Sequence, residues 1–135
     1  MGFMITKTFR FEAMHFLPNH DGKCRNWHGH SYAFKVTLAG DRLEEQGPKQ
    51  GMLFDFGDLA AVVRAEIVDK LDHTNLNESA VALAEAWSLS FAATTAEELA
   101  RLLGRILSEV FYQRGVQVKK VGVGETTDSW ATWEP

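Results

Sequence analysis

The chain has 135 residues, 45% of them hydrophobic and 24% charged, a balance that suits one folded domain spanning residues 1–135 and excludes a disordered or fibrous chain. A formal charge of −4 leaves no electrostatic footprint for nucleic acid or an anionic membrane, and no apolar run is long enough to span a bilayer, so a small-molecule partner is expected. With a single cysteine no intramolecular disulfide can form, and the first residues lack the apolar core of a signal peptide, so a reducing cytoplasm is the expected compartment.

From Phe3 to Phe16, Ile5, Thr8, Phe9, Phe11 and Phe16 are interspersed with Thr, Lys, Arg and Glu, which predicts a first strand. Pro18-Asn19-His20-Asp21-Gly22 breaks it. Between Ser31 and Gly40 the apolar Tyr32, Phe34, Val36 and Leu38 alternate with Ser31, Ala33, Lys35 and Thr37, the period-2 pattern of a half-buried second strand. Leu59, Val62, Val63, Ile67 and Leu71 then fall at helical spacing and predict a first helix over about Gly57 to Leu71, with Asp58 in the first turn where the dipole favours a negative charge.

Thr95-Ala96-Glu97-Glu98 has the form of a capping box, and the stripe Leu99, Leu102, Leu103, Ile106 and Val110 predicts a second helix to about Tyr112. Ser79 to Ala93, rich in Ala and Leu, has the propensity to fuse with that helix, and its periodicity does not decide the matter. Val116, Val118, Val121 and Val123 predict a third strand, and Ser129 to Trp133 a short fourth. The order ββααββ predicts an α+β fold: a four-stranded antiparallel sheet with two helices on one face. Open edges on such a sheet favour pairing between subunits, so a homo-oligomer is expected.

The chemistry-bearing residues concentrate near the head of the second strand. His28 and His30 are two apart on an extended chain, so both imidazoles can serve one ion, and His15 near the end of the first strand is the candidate third ligand if the two strands pair. Three nitrogen ligands and an open fourth position suit catalytic zinc, whereas adding Cys24 would make a closed Cys-His₃ structural site and a non-catalytic binding module. A cupin would place a glutamate within four or five residues of the H-x-H pair, where Phe34 and Lys35 stand here.

Asp72-His73 can be read as a general acid–base pair or as a helix C-cap. Glu125, beside Gly122 and Gly124, could grip an N–C–NH₂ edge with two hydrogen bonds or be an ordinary surface carboxylate. Lys23 and Arg25 flank Cys24 and could hold phosphate or be solvated loop charges.

F-E-A-M-H ending in His15, C-R-N-W-H-G-H at Cys24 to His30, G-M-L-F-D-F at Gly51 to Phe56, L-D-H-T-N-L-N at Leu71 to Asn77, T-A-E at Thr95 to Glu97 and G-E-T at Gly124 to Thr126 stand in this order along nearly the whole chain. In this order they resemble the 6-pyruvoyl-tetrahydropterin synthase and 6-carboxy-tetrahydropterin synthase family. The resemblance implies a tunnelling fold whose subunits close a barrel as trimers, two of which stack as a hexamer. It implies Zn²⁺ on His15, His28 and His30, Cys24 as base or nucleophile, and Asp72 and His73 contributed to catalysis by a neighbouring subunit. It further implies that Glu125, with Thr95, Glu97 and Thr126, binds the substrate's pterin ring. The three residues between Cys24 and His28 are similar to the spacing in the carboxy enzymes, which implies 7,8-dihydroneopterin triphosphate as substrate and a 7-deazaguanine or queuosine precursor as product. Trp27 and Met14 depart from the smaller residues usual beside the zinc ligands, and the segment Glu78 to Thr94 is longer than usual.

Overall fold

The computed structural model describes residues 2–135. Strands β1 (Phe3–His15) and β2 (His28–Gly40) form a long antiparallel hairpin in continuous register from Phe3 opposite Gly40 to His15 opposite His28. The period-2 pattern produces this ladder: Phe9, Phe11, Ala13 and His15 are buried on one face of β1, while Thr8, Arg10, Glu12 and Met14 are exposed on the other. On β2, Tyr32, Phe34, Val36 and Leu38 join the same buried face.

The sheet is mixed and five-stranded, in the order β3-β1-β2-β4-β5, which corrects the expected four antiparallel strands. The added strand β3 is only Thr74–Asn75, pairing in parallel with Ala13 and Met14. Two residues carry too little pattern to announce a strand. β4 (Gln117–Gly124) pairs antiparallel with β2 across an irregularity between Thr37 and Leu38, and β5 (Trp130–Trp133) closes the far side. The single chain leaves the sheet open, with short strands at both edges.

α1 (Phe56–Val63) starts at an Asp55 cap whose side chain accepts from the Asp58 amide, continues through a π-helical turn at Arg64–Val68, and ends in the single turn α2 (Asp69–Leu71). These segments occupy the span expected of the first helix. The undecided segment holds a separate helix, α3 (Leu76–Ala86), so the helical count exceeds the two expected. α3 stops because Ser88 adopts φ 55°, while the Ser88 and Leu89 amides return to the Glu85 and Ala84 carbonyls. That is a Schellman closure made without glycine.

α4 (Ala96–Tyr112) begins at Thr95, whose hydroxyl accepts from the Glu98 amide. The Glu98 carboxylate accepts from the Ala92 amide, so only half of the expected capping box forms. Leu99, Leu102, Leu103, Ile106 and Val110 are buried against the sheet, and Gly104 meets the Trp133 ring so closely that no Cβ fits there. No helix of the described residues is long and apolar enough to cross a membrane.

Candidate metal centre and its surroundings

The hairpin register brings the three predicted histidines together. His15 is the Cα partner of His28, His30 pairs with Ala13, and all three side chains share the surface turned toward the helices. Their candidate ligand atoms lie within 4.8 Å of one another, and Cys24 is outside this group. The ring centroids of His15 are 4.5 Å from His28 and 5.0 Å from His30.

Backbone carbonyls orient two of the rings. His15 Nδ1 lies 2.8 Å from the Thr94 carbonyl and 3.1 Å from its hydroxyl, and His28 Nδ1 lies 2.7 Å from the Asn26 carbonyl. A carbonyl can only accept, so both rings donate from Nδ1, which in a neutral imidazole leaves the Nε2 lone pair free for a metal. Nε2 of His15 and of His30 is buried without a hydrogen-bond partner, which is costly unless something else occupies the space between them. Burial, which disfavours the charged imidazolium, lowers the His15 pKa to about 4, and burial likewise lowers that of His30. Neutral, convergent imidazoles with free nitrogens fit a divalent metal ion.

Cys24 sits in a single 3₁₀ turn, Lys23–Arg25, and is partly exposed. Its carbonyl accepts from the Leu17 amide at 2.7 Å, which folds the thiol's loop back toward the end of β1. Glu125 follows β4 and brings a carboxylate oxygen 3.9 Å from His30 Nε2. Asp72 and His73 occupy the opposite border of the hairpin. Asp72 Oδ1 accepts from the Glu12 amide at 2.8 Å and Oδ2 lies 3.0 Å from His73 Nδ1, while the His73 amide donates to the Glu12 carbonyl at 2.6 Å. The Glu12 amide, chiefly, and His73 hold the Asp72 carboxyl below its usual range. His73, at φ 58°, borders a groove of about 510 Å³ with Glu12, Met14, Gly29, His30 and Ser31.

Thr95 lines a separate cavity of about 350 Å³ with Phe16, Asn77, Phe91 and Thr94, while its hydroxyl serves as the α4 cap. Glu97 and Thr126 are exposed. The structure therefore gathers His15, His28, His30 and Glu125, leaves Cys24 outside the histidine group, and pairs Asp72 with His73 at the Glu12 edge of β1. Two supports had no sequence signal of their own, the carbonyls of Thr94 and Asn26. A third, Asn77, grips the residue after His15 from both sides, accepting from the Phe16 amide at 2.9 Å and donating to its carbonyl at 3.0 Å. Its place in L-D-H-T-N-L-N was the available clue.

A mixed sheet backed by helices, with three histidines facing inward from one hairpin head, is the frame of a tetrahydropterin-synthase-like enzyme with the tunnelling fold. Residues 4–135 match the model of the 6-pyruvoyl tetrahydropterin synthase family, and the chain belongs to that family. It is 36% identical to the 6-carboxy-5,6,7,8-tetrahydropterin synthase of Haemophilus influenzae, over 98% of this chain and 99% of that one. A putative 6-carboxy-5,6,7,8-tetrahydropterin synthase of Archaeoglobus fulgidus is also 36% identical, over 90% of this chain and 86% of its own length. Among solved structures, the Caenorhabditis elegans 6-pyruvoyl tetrahydropterin synthase superposes with a TM-score of 0.76 at 26% identity, covering 98% of this chain and 95% of that one.

Proposed function

We propose that the chain is a zinc-dependent lyase that converts 7,8-dihydroneopterin triphosphate to 6-carboxy-5,6,7,8-tetrahydropterin, releasing acetaldehyde and triphosphate, as a cytoplasmic homohexamer built from two trimers. The observation that carries this reading is the convergence of His15, His28 and His30 within 4.8 Å, with Nε2 of His15 and His30 buried and unpaired, in a chain that matches a carboxy enzyme over 98% of its length. His15, His28 and His30 would hold the zinc, which when bound supplies Lewis acidity to the substrate's side-chain oxygens. The Cys24 thiolate takes a proton from the side-chain carbon next to the ring. Asp72 orients His73, from the neighbouring subunit, to relay protons to and from the side-chain oxygens. Glu125 accepts two hydrogen bonds from the pterin N–C–NH₂ edge, and Thr95, Glu97 and Thr126 frame the ring.

The atoms balance with one water. Triphosphate leaves from the terminal side-chain carbon, the bond between the first and second side-chain carbons breaks to release acetaldehyde, and water supplies the remaining carboxylate oxygen. The oxidation of that carbon is matched by reduction of the dihydropterin ring to the tetrahydro level. The product suits a precursor of 7-deazaguanine compounds such as queuosine. Incubating the zinc-loaded protein with dihydroneopterin triphosphate should release acetaldehyde in step with the carboxy product. A 6-pyruvoyl product without acetaldehyde would replace this reading with the activity named for the Caenorhabditis elegans structure.

A further inference from the structure

Among the described residues, four buried side-chain polar atoms lack a hydrogen-bond partner: His15 Nε2, His30 Nε2, the Tyr32 hydroxyl and Ser108 Oγ. Three of the four belong to the inner surface of the β1–β2 head. Tyr32 follows His30 by two residues, so both project to the same side, and its ring centroid lies 5.3 Å from His30 and 5.9 Å from His15. Its other face stacks on Phe11 at 4.9 Å, and no part of the residue is exposed. A phenylalanine would make every one of these ring contacts. A buried phenol therefore calls for a partner of its own, since an unpaired hydroxyl is costly to bury.

A metal ion on the histidines would satisfy the two nitrogens and leave the phenol unpaired. We propose that the Tyr32 hydroxyl donates a hydrogen bond to an oxygen that shares the histidine pocket, water in the resting protein and a substrate oxygen in the complex, making Tyr32 a positioning residue of the metal centre. Glu125 is the competing acceptor, being near His30 and adding its charge to burial in keeping Tyr32 protonated, yet no hydrogen bond joins the two. The proposal rests on the metal reading of the three histidines and not on the identity of the pterin product.

Tyr32→Phe removes the hydroxyl and keeps the ring. Zinc affinity, measured by competition with a chromophoric chelator, should weaken by about tenfold, the worth of one hydrogen bond in a buried polar site. The visible bands of the cobalt(II)-loaded protein should shift, and the metal-free protein should melt no lower than wild type. Phe11→Leu serves as the packing control and should lower both melting temperatures without moving zinc affinity or the cobalt bands. Unchanged zinc affinity and cobalt bands in Tyr32→Phe overturn the proposal. So does a drop in metal-free melting temperature that matches the drop with zinc, which would give the phenol an ordinary partner such as Glu125. A wild-type protein that binds neither metal overturns the metal reading along with it, whereas failure to make the carboxy product leaves it standing.

Discussion

His15 is 1% exposed, with Nδ1 held by the Thr94 carbonyl, whereas the His73 side chain is 78% exposed and meets Asp72 at 3.0 Å. His15 is the last residue of β1, and His73 lies beside Glu12 of the same strand. The first environment is finished within one chain: low polarity keeps the ring neutral, a carbonyl fixes its tautomer, and two further imidazoles converge on it. The second is oriented without being enclosed. Asp72 is anchored by the Glu12 amide, and the ring beyond it faces solvent. Under the proposed function, metal binding is expected of the single subunit and turnover of the assembly.

The largest expected effect separates these two properties. His28→Ala removes a ligand from a trio that has no spare, so bound zinc should fall to background and turnover by at least about a hundredfold. Asp72→Asn should keep full zinc content while lowering turnover, because the amide can still accept from the Glu12 amide but no longer offers His73 a carboxylate. Metal analysis of both variants breaks the comparison if Asp72→Asn loses zinc. A second test sharpens it. Cys24→Ala and His73→Ala should each be inactive alone, yet unfolding and refolding them together should restore about a quarter of wild-type activity if one site draws Cys24 and His73 from adjacent copies in a head-to-tail ring. No recovery in assembled mixtures would put both groups in one subunit's site.

The contrast also follows what the sequence could express. The hairpin and its histidine trio were legible because strand alternation places residues two apart on one surface, and pairing of adjacent strands then brings in the third histidine. β3 was hidden because Thr74–Asn75 is held by parallel pairing to β1 and not by a pattern of its own. The end of α3 was hidden because Ser88 takes the left-handed conformation that glycine would have advertised. The supports of the trio were least visible, since Thr94 and Asn26 act through backbone carbonyls that every residue type possesses. Asp72 and His73 were legible as a motif, but their anchoring on the Glu12 backbone was not, because it depends on where the end of α2 meets β1.

The smallest expected effect is a pH dependence confined to the inner environment. Burial lowers the His15 pKa from 6.5 to about 4, so between these values the unfolded chain carries a proton there that the folded chain refuses. Stability of the zinc-free protein is then fully present above pH 6.5 and falls as pH drops through the folded value, by at most about 3 kcal/mol for this group. The lowered pKa of His30 acts in the same direction. The Asp72 carboxyl, also lowered, loses its contribution only in the more acidic carboxylate range, and its exposure leaves it a minor share. Urea denaturation of the zinc-free protein at pH 7 and pH 4.5 should show this loss, and His15→Asn should flatten it because an amide does not titrate. Parallel pH curves for the two proteins would mean that His15 is not the neutral, desolvated imidazole the hairpin makes of it.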